Sequence, residues 1–328
     1  MSRARTARRI ATAAAYGGGV GLLGVGMYGL LMAEASWARK VIQPLPYGGP
    51  PSADGVYGAD LPGEPLVLAV LGDSTSVGYG VERVEDTPGA VLAGGLSKQV
   101  RRPVRVVSAG VIGAVSADLA VQVERVLPDR PDVAMILIGG NDVTTRARTA
   151  EAVGHLDQAV RALAAVGCRS VVGTCPDLGT IEPIYPPLRW VARLDSRRLA
   201  AAQTIAVVEA GGRTVSLGDL LGPQFVRARD RMFSPDRFHP SAEGYALAVA
   251  AMLPAVVASV LGTEPAADGV MPLPKAAVQA VATAGTEVSG AGVAGSDDRR
   301  DLWGQLRQRI RLPRFGSAAT PAPEAARV

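Results

Sequence analysis

The chain has few of the residues from which metal centres and disulfide frameworks are built. Its 328 residues include two histidines, His155 and His239, and two cysteines, Cys168 and Cys175. Such a small supply of ligands is unusual for a zinc site, and we expect neither a metal nor a cofactor. The run between the cysteines is typical of a strand, and seven extended residues span roughly 23 Å, far beyond disulfide reach. Both cysteines are therefore expected to be free thiols.

Lysine is also rare, so arginine carries almost all of the positive charge. The formal net charge is +4. Residues 1–40 carry +5 and residues 299–315 carry another +5, which leaves −6 for the remainder of the chain. The basic character thus belongs to two terminal segments, and we expect no nucleic-acid partner.

Residues 10–33 form an uncharged stretch that is long enough to cross a bilayer as a helix. Four arginines precede it, so the positive-inside rule predicts a basic cytoplasmic tail over residues 1–9, a single transmembrane anchor and an extracytoplasmic chain beyond it. The alternative is a long signal segment that is cleaved near Ala35. The same stretch contains a GxGxxG pattern from Gly19 to Gly24, but no strand precedes it, and we reject a dinucleotide site there.

The rest of the chain divides into three parts by composition. Residues 34–64 are rich in proline and glycine and indicate a linker that lifts the next domain off the membrane. Residues 65–262 alternate apolar runs with helical patterns and are expected to form one domain. Residues 263–328 predict a disordered tail. Within that tail, residues 299–312 fit either a basic amphipathic helix on an anionic membrane or a solvated segment.

Five apolar runs in the central part look like strands that are buried on both faces: Leu66–Leu71, Val104–Val107, Val133–Ile138, Ser170–Gly173 and Thr214–Leu217. Helical patterns separate them, and the last two of these helices are expected over Asp195–Ala210 and Ser241–Leu261. Strands that alternate with helices imply parallel βαβ units. The pattern therefore predicts a three-layer α/β/α sandwich with a five-stranded parallel sheet, whose sites form at the carboxyl ends of the strands.

The first strand runs into Gly72-Asp73-Ser74, which places a serine just past a strand end. A serine hydroxyl needs a base to become nucleophilic near neutral pH. His155 falls within a helical pattern, whereas His239 precedes the last helix and follows Asp236 by three residues. One turn of chain can therefore bring the carboxylate to the imidazole. A capping aspartate beside an incidental histidine would have the same spacing.

Two further patches follow strand ends. The third strand is followed by Gly139-Gly140-Asn141, and the amide of Asn141 can donate to a developing oxyanion. The second strand is followed by a glycine-containing run that ends at Gly113, where the backbone can approach a ligand closely. Each patch alone also fits a simple glycine turn. Together, the four patches lie in the order and at the strand ends that one site requires.

These patches resemble the conserved blocks of the SGNH (GDSL-type) hydrolase family of lipases and esterases, over roughly Pro65 to Leu261. The resemblance implies a sheet with the strand order 2-1-3-4-5. It implies a catalytic triad of Ser74, Asp236 and His239. It also implies an oxyanion hole of Ser74, Gly113 and Asn141, with supporting positions at Gly72, Asp73 and Gly140. The glycine block of the family often begins with asparagine, where this chain has Ser108. The GxSxG elbow of the α/β-hydrolases is absent around any plausible serine.

The resemblance further implies hydrolysis of carboxylic O-acyl esters through an acyl-enzyme. Family substrates range over lipids, simple esters, thioesters and acetylated sugars, and an extracytoplasmic location favours envelope lipids or acylated glycans. An O-acyltransferase with the same triad and a non-catalytic envelope scaffold with the same fold are the alternatives. The proline-rich run from Cys175 to Leu194 indicates either an apolar wall or lid at the site or a loop packed for stability.

Overall fold

The computed structural model describes residues 26–38, 40, 49–181, 184–218, 229–263, 271–283, 285–290 and 292–294. Its described strands form one sheet of eight. In chain order they are β1 (Gly55–Tyr57), β2 (Leu66–Gly72), β3 (Val104–Ser108), β4 (Val133–Leu137), β5 (Arg169–Gly173), β6 (Arg213–Val215), β7 (Glu287–Ser289) and β8 (Gly292–Ala294). Most of the proposed membrane anchor and the whole of residues 299–312 lie outside the described residues.

The five predicted strands form the parallel core of the sheet. They lie side by side in the order β3-β2-β4-β5-β6, and each neighbouring pair is parallel. This order is the predicted 2-1-3-4-5 arrangement, which is therefore confirmed. All five residues of β4 are buried, because helices cover both faces of the sheet and apolar side chains are needed on each.

Three short antiparallel strands, which the sequence interpretation missed, extend the sheet at both edges. β1 pairs with β3, β7 pairs with β6, and β8 pairs with β7. The linker prediction for residues 34–64 and the disorder prediction for residues 263–328 are therefore wrong in part, and the domain is wider than residues 65–262. Each added strand has three residues, too few to produce a recognisable alternation of apolar and polar side chains.

Helices cover the two faces of the sheet. On one face lie α3 (Pro88–Val100) and α9 (Ala242–Leu261), which pack on alternate residues of β2 and β4 such as Leu68 and Met135. On the other face lie α4 (Leu119–Val126) and α6 (Thr149–Ala165), which pack on the intervening residues such as Ala69 and Ile136. The three-layer prediction is thus confirmed.

The remaining helices are α1 (residues 26–38), α2 (Ser74–Val77), α5 (Gly140–Thr144), α7 (Leu188–Glu209), α8 (Arg229–Met232) and α10 (Leu273–Ala282). One of them, α7, also packs on the second face of the sheet through Val207. Helix α7 begins at Leu188 and not at the expected Asp195, because the chain turns into the helix directly after Pro186-Pro187. In the described part of the chain, α9 is the one helix whose length and hydropathy would allow it to cross a membrane, yet 61% of its most apolar window is buried inside the protein.

Helix α1 packs against the domain, which the linker prediction did not anticipate. The carboxylate of Glu34 accepts a hydrogen bond of 2.9 Å from the backbone N–H of Leu188 at the start of α7. The rings of Trp37 and Tyr185 lie 5.3 Å apart, and Ala38 is buried in one cluster with Ile184. Helix α1 includes residues 26–33 of the proposed anchor, and Tyr28 among them lies against Arg146, so the end of that segment and the chain after it are held on the surface of the domain.

Candidate active site

Ser74 lies at the carboxyl edge of the sheet because β2 turns directly into a short helix. Gly72 ends the strand with φ +130°, and a Cβ there would come within 1.9 Å of the carbonyl oxygen of Leu137, so only glycine fits. Asp73 caps α2 by accepting a 2.8 Å hydrogen bond from the N–H of Thr75. Ser74 is consequently the first residue of α2.

The loop between α8 and α9 brings a base and a carboxylate to this serine. Nε2 of His239 lies 2.9 Å from Oγ of Ser74, and Nδ1 lies 2.6 Å from Oδ2 of Asp236. Ser74, His239 and Asp236 therefore form a continuous chain of hydrogen bonds. Although 165 residues separate the serine from the histidine, both strand-end loops reach the same edge of the sheet.

Asp236 is held in place by more than the histidine ring. Its Oδ1 accepts hydrogen bonds from the hydroxyl of Ser234 at 2.7 Å and from the N–H groups of Phe238 and His239 at 2.8 and 2.9 Å. Burial alone would raise the pKa of Asp236, but these hydrogen bonds and the one from the imidazole outweigh it and hold the pKa below its usual value. The carboxylate is thus ionised at neutral pH and fixes the orientation of the imidazole.

Asn141 and Gly113 lie on two neighbouring turns. Asn141 is in α5, after the left-handed turn at Gly139, and its Nδ2 donates a 3.0 Å hydrogen bond to the carbonyl of Ala114. An amide nitrogen carries two N–H bonds, so a second donor remains for a ligand. Gly113 precedes Ala114 in an exposed turn with φ +82°. Asn141 lines the pocket at Ser74, whereas Gly113 is not among its lining residues.

Two buried carboxylates support these turns. Asp142 accepts hydrogen bonds from the N–H and the hydroxyl of Ser116, which fixes the chain after Ala114. Asp73 is buried beside Gly140, where a Cβ would lie 3.9 Å from its Oδ2. Burial raises the pKa of Asp73 to about 6, against smaller lowering effects from its hydrogen bond with Thr75 and from His239.

An apolar pocket opens beside the triad. Its polar lining includes Ser74, Asn141 and His239, and its apolar lining includes Leu137, Ile138, Leu178, Ile181, Leu217 and Phe238. Gly173 leaves room at its base, since a Cβ there would lie within 2.6 Å of side-chain atoms of Leu137 and Leu217. The run after Cys175 had been singled out as a possible wall, and Leu178 and Ile181 fulfil that role. Leu217 lies two residues after the last parallel strand, β6; the sequence pattern placed it at the end of a predicted strand but did not assign it to the pocket.

The other chemically distinctive residues lie away from this site or are inert. Cys168 and Cys175 are both buried free thiols, which confirms the prediction, and burial raises the pKa of both. His155 is half-buried on α6. Within the described ranges, no three histidine, cysteine, aspartate or glutamate side chains are grouped as metal ligands.

Comparison with known proteins identifies the family of the chain. The model of the GDSL-like lipase/acylhydrolase family matches residues 70–247. The GDSL-like esterase Rv1075c of Mycobacterium tuberculosis is 42% identical over 237 residues, which are 68% of this chain and 74% of the relative. The chain therefore belongs to the GDSL-like lipase/acylhydrolase family, and it is a serine hydrolase that acts on ester bonds.

Solved structures are similar over the same part of the chain. A catalytic mutant of an acetylxylan esterase from Geobacillus stearothermophilus is 19% identical, with a TM-score of 0.45, and the match covers 62% of this chain and 96% of that one. The structure of TesA is 24% identical, with a TM-score of 0.43, and the match covers 60% of this chain and 96% of that one.

Proposed function

We propose that the protein is a membrane-tethered serine esterase that cleaves O-acyl esters through an acyl-enzyme. Ser74 is the nucleophile, His239 the general base and Asp236 the residue that orients it. The observation that carries this proposal is the pair of short contacts at His239, 2.9 Å to the serine hydroxyl and 2.6 Å to the carboxylate. Such a chain of contacts activates a hydroxyl that is otherwise a weak nucleophile.

The reaction proceeds in two acyl-transfer steps. Oγ of Ser74 attacks the ester carbonyl while Nε2 of His239 takes its proton, and the carbonyl oxygen becomes an oxyanion. The N–H groups of Ser74 and Gly113 and the amide of Asn141 donate to that oxyanion. The histidine then protonates the leaving alcohol, the acyl group stays on the serine, and water repeats the sequence to release the acid.

The lining of the pocket supports an acyl substrate. Its apolar walls would hold the acyl chain, while the triad and Asn141 meet the ester group. If residues 10–33 cross the membrane with the N-terminus in the cytoplasm, the site faces the cell envelope, and envelope lipids or acylated glycans are the substrates that location offers. Cleavage near Ala35 would instead release the same enzyme.

An O-acyltransferase is the second candidate, since an alcohol can replace water at the acyl-enzyme with the same residues in the same roles. Product analysis in the presence of an added alcohol distinguishes the two, because a transferase forms a new ester at a rate that exceeds release of the free acid.

The proposal is tested with the full-length chain and its Ser74→Ala variant on p-nitrophenyl esters from acetate to palmitate and on acetylated sugars. A fluorophosphonate that traps serine nucleophiles provides a second readout, and mass spectrometry locates the adduct. We expect ester hydrolysis and an adduct on Ser74, both lost in the variant. A folded wild-type protein that hydrolyses no ester and takes no label would favour the non-catalytic scaffold.

A further inference from the structure

The exposed large hydrophobic side chains are concentrated in two segments of the described chain. Nine of the seventeen lie either on α1 or between residues 185 and 194: Met27, Tyr28, Leu30, Met32, Trp37, Tyr185, Trp190, Val191 and Leu194. Trp190 is 65% exposed. We call these nine side chains the aromatic patch. Single exposed hydrophobic residues are ordinary, whereas a contiguous group of this kind marks an interaction surface.

The two segments of the aromatic patch belong to one surface. The ring of Trp37 on α1 lies 5.3 Å from that of Tyr185, and Glu34 binds the backbone of Leu188. Beneath them, Ala38 is buried with Ile181 and Ile184. The aromatic patch therefore lies over a buried apolar cluster that holds its two segments together.

Arginines border the patch. Residues 185–198 contain four arginines and one aspartate, and with Asp177, which pairs with two of these arginines, the net charge is +2. Arg193 and Arg197 each lie within 3.2 Å of the buried carboxylate of Asp177 and remain 47% and 39% exposed. The guanidinium of Arg146 lies 5.8 Å from the ring centre of Tyr28 on α1. Tryptophan and tyrosine with neighbouring arginines are the combination that proteins place at the headgroup level of anionic membranes.

The patch also lies beside the catalytic pocket. Ile181 is buried under the patch and also lines the pocket. Phe238, which is next to His239, packs in the same cluster and lines the pocket as well. One apolar cluster thus joins the surface of α1 to the wall of the acyl pocket. A surface that contacts the aromatic patch would also be close to the site where the ester is cleaved.

We propose that the aromatic patch binds the surface of an anionic lipid bilayer and thereby selects esters that reside in the bilayer. This inference rests on the proposed esterase activity of Ser74. The bilayer is the occupant that the chain favours, because the first eight residues of α1, residues 26–33, are the end of the uncharged stretch 10–33, and because the border of the patch is cationic. The domain then lies against the membrane, with the pocket at headgroup level.

The first test compares two substrates of the full-length chain in vesicles of phosphatidylcholine and phosphatidylglycerol. One is a long-chain ester embedded in the bilayer, and the other is p-nitrophenyl acetate in the surrounding water. We expect the double variant Trp190→Ser with Leu194→Ser to lose about tenfold of its rate on the embedded ester, because two apolar side chains no longer bury in the interface. Its rate on the acetate is expected to stay at the wild-type level.

The matched control is Leu261→Ser. Leu261 is 57% exposed, and it ends α9 near Arg169, the first residue of β5, at the edge of the sheet opposite the site. The control should keep both rates. If the double variant and the control hydrolyse the embedded ester at equal rates, the bilayer proposal is wrong. The rate on the acetate is a separate test of the esterase activity of Ser74. Loss of acetate hydrolysis in wild type would instead overturn the esterase proposal.

The second test measures whether the side chain of Trp190 lies at the level of the lipid headgroups. In the chain with Trp37→Phe and Trp303→Phe, Trp190 is the remaining tryptophan. We expect a nitroxide on the lipid headgroup to quench its fluorescence. A tryptophan placed by Leu261→Trp, in a chain that also has Trp190→Phe, should be unaffected. Absence of quenching at Trp190 would overturn the proposal. Protection of Trp190 that increases with protein concentration would also overturn it, because a second copy of the chain would then cover the patch. If aqueous iodide quenched Trp190 only after deletion of residues 299–328, those residues and not the bilayer would cover the patch.

Discussion

The two sides of the catalytic site are constructed differently. On the triad side, Asp236 accepts four hydrogen bonds, and both ring nitrogens of His239 are engaged. On the oxyanion side, Asn141 makes one hydrogen bond through its amide, and a Cβ at Gly113 would meet no atom within 4 Å. The proposed acid–base groups are therefore held in place before a substrate arrives, whereas the turn that contains Gly113, the proposed backbone donor, is exposed. Perturbing the triad should consequently cost more activity than perturbing the donors.

The largest effect is expected from Ser74→Ala, which removes the nucleophile. In serine hydrolases this loss lowers kcat on the order of 10⁶-fold. We expect kcat for p-nitrophenyl acetate to fall to the background of the assay, with unchanged thermal unfolding. Ser97→Ala, which changes another buried serine on α3, is the matched control and should keep its activity. If Ser74→Ala retained more than a few per cent of the wild-type kcat, Ser74 would not be the nucleophile.

Asp236→Asn tests the preorganisation of the histidine. An amide in this position can hold the imidazole in the wrong tautomer, and the corresponding change in the serine protease template lowers kcat about 10⁴-fold. We expect a fall of similar size, measured at several pH values. Ser234→Ala removes one of the hydrogen bonds to the same carboxylate and should have a far smaller effect. If the two variants lose equal activity, the carboxylate acts through the loop structure and not through the imidazole.

Asn141→Ala probes the oxyanion side. Removal of one oxyanion donor costs about 10²–10³ in kcat, since the interaction forms as charge develops on the carbonyl oxygen. We therefore expect kcat to fall by that factor with little change in KM. A raised KM with unchanged kcat would show that Asn141 contacts the ground state only, and the oxyanion hole would then consist of backbone donors.

Asp73→Asn is expected to change stability more than activity. The pKa of Asp73 is raised to about 6 by burial, so the folded protein holds this proton more tightly than the unfolded chain does. The contribution of the neutral carboxyl to stability is present in acid and is lost as the pH rises through about 6. An asparagine also caps α2 but has no charge to bury.

The stability gain of Asp73→Asn over wild type should therefore be larger at pH 8 than at pH 5, by on the order of 1 kcal/mol. Urea unfolding at the two pH values measures the difference. Asp60→Asn, at an exposed aspartate, is the control for the substitution itself. A difference of the opposite sign would mean that the folded protein stabilises the ionised form of Asp73.

The parallel core and the proximity of Ser74, Asp236 and His239 could be predicted from the sequence for related reasons. Buried parallel strands need continuous apolar runs, and the residues after each run necessarily lie at one edge of the sheet, so Ser74, Asn141 and His239 could be placed together. The added edge strands are too short to produce such a pattern. The packing of α1 depends on contacts such as Glu34 with Leu188, which join residues 154 apart and leave no local signal. Leu217 ended a predicted strand, but the pattern did not indicate that its side chain would line the pocket.

The antiparallel strand β7 has a consequence for how the enzyme can be isolated. Its Glu287 forms a 3.0 Å ion pair with Arg213 of β6, and their side chains are only 3% and 11% exposed. A fragment that stopped at Gly262 would contain the entire family match but would leave the guanidinium of Arg213 without this carboxylate and uncover the backbone of β6. Uncovered sheet edges recruit strands from other molecules, so such a fragment should aggregate, whereas one that continues through Ala294 keeps the edge closed.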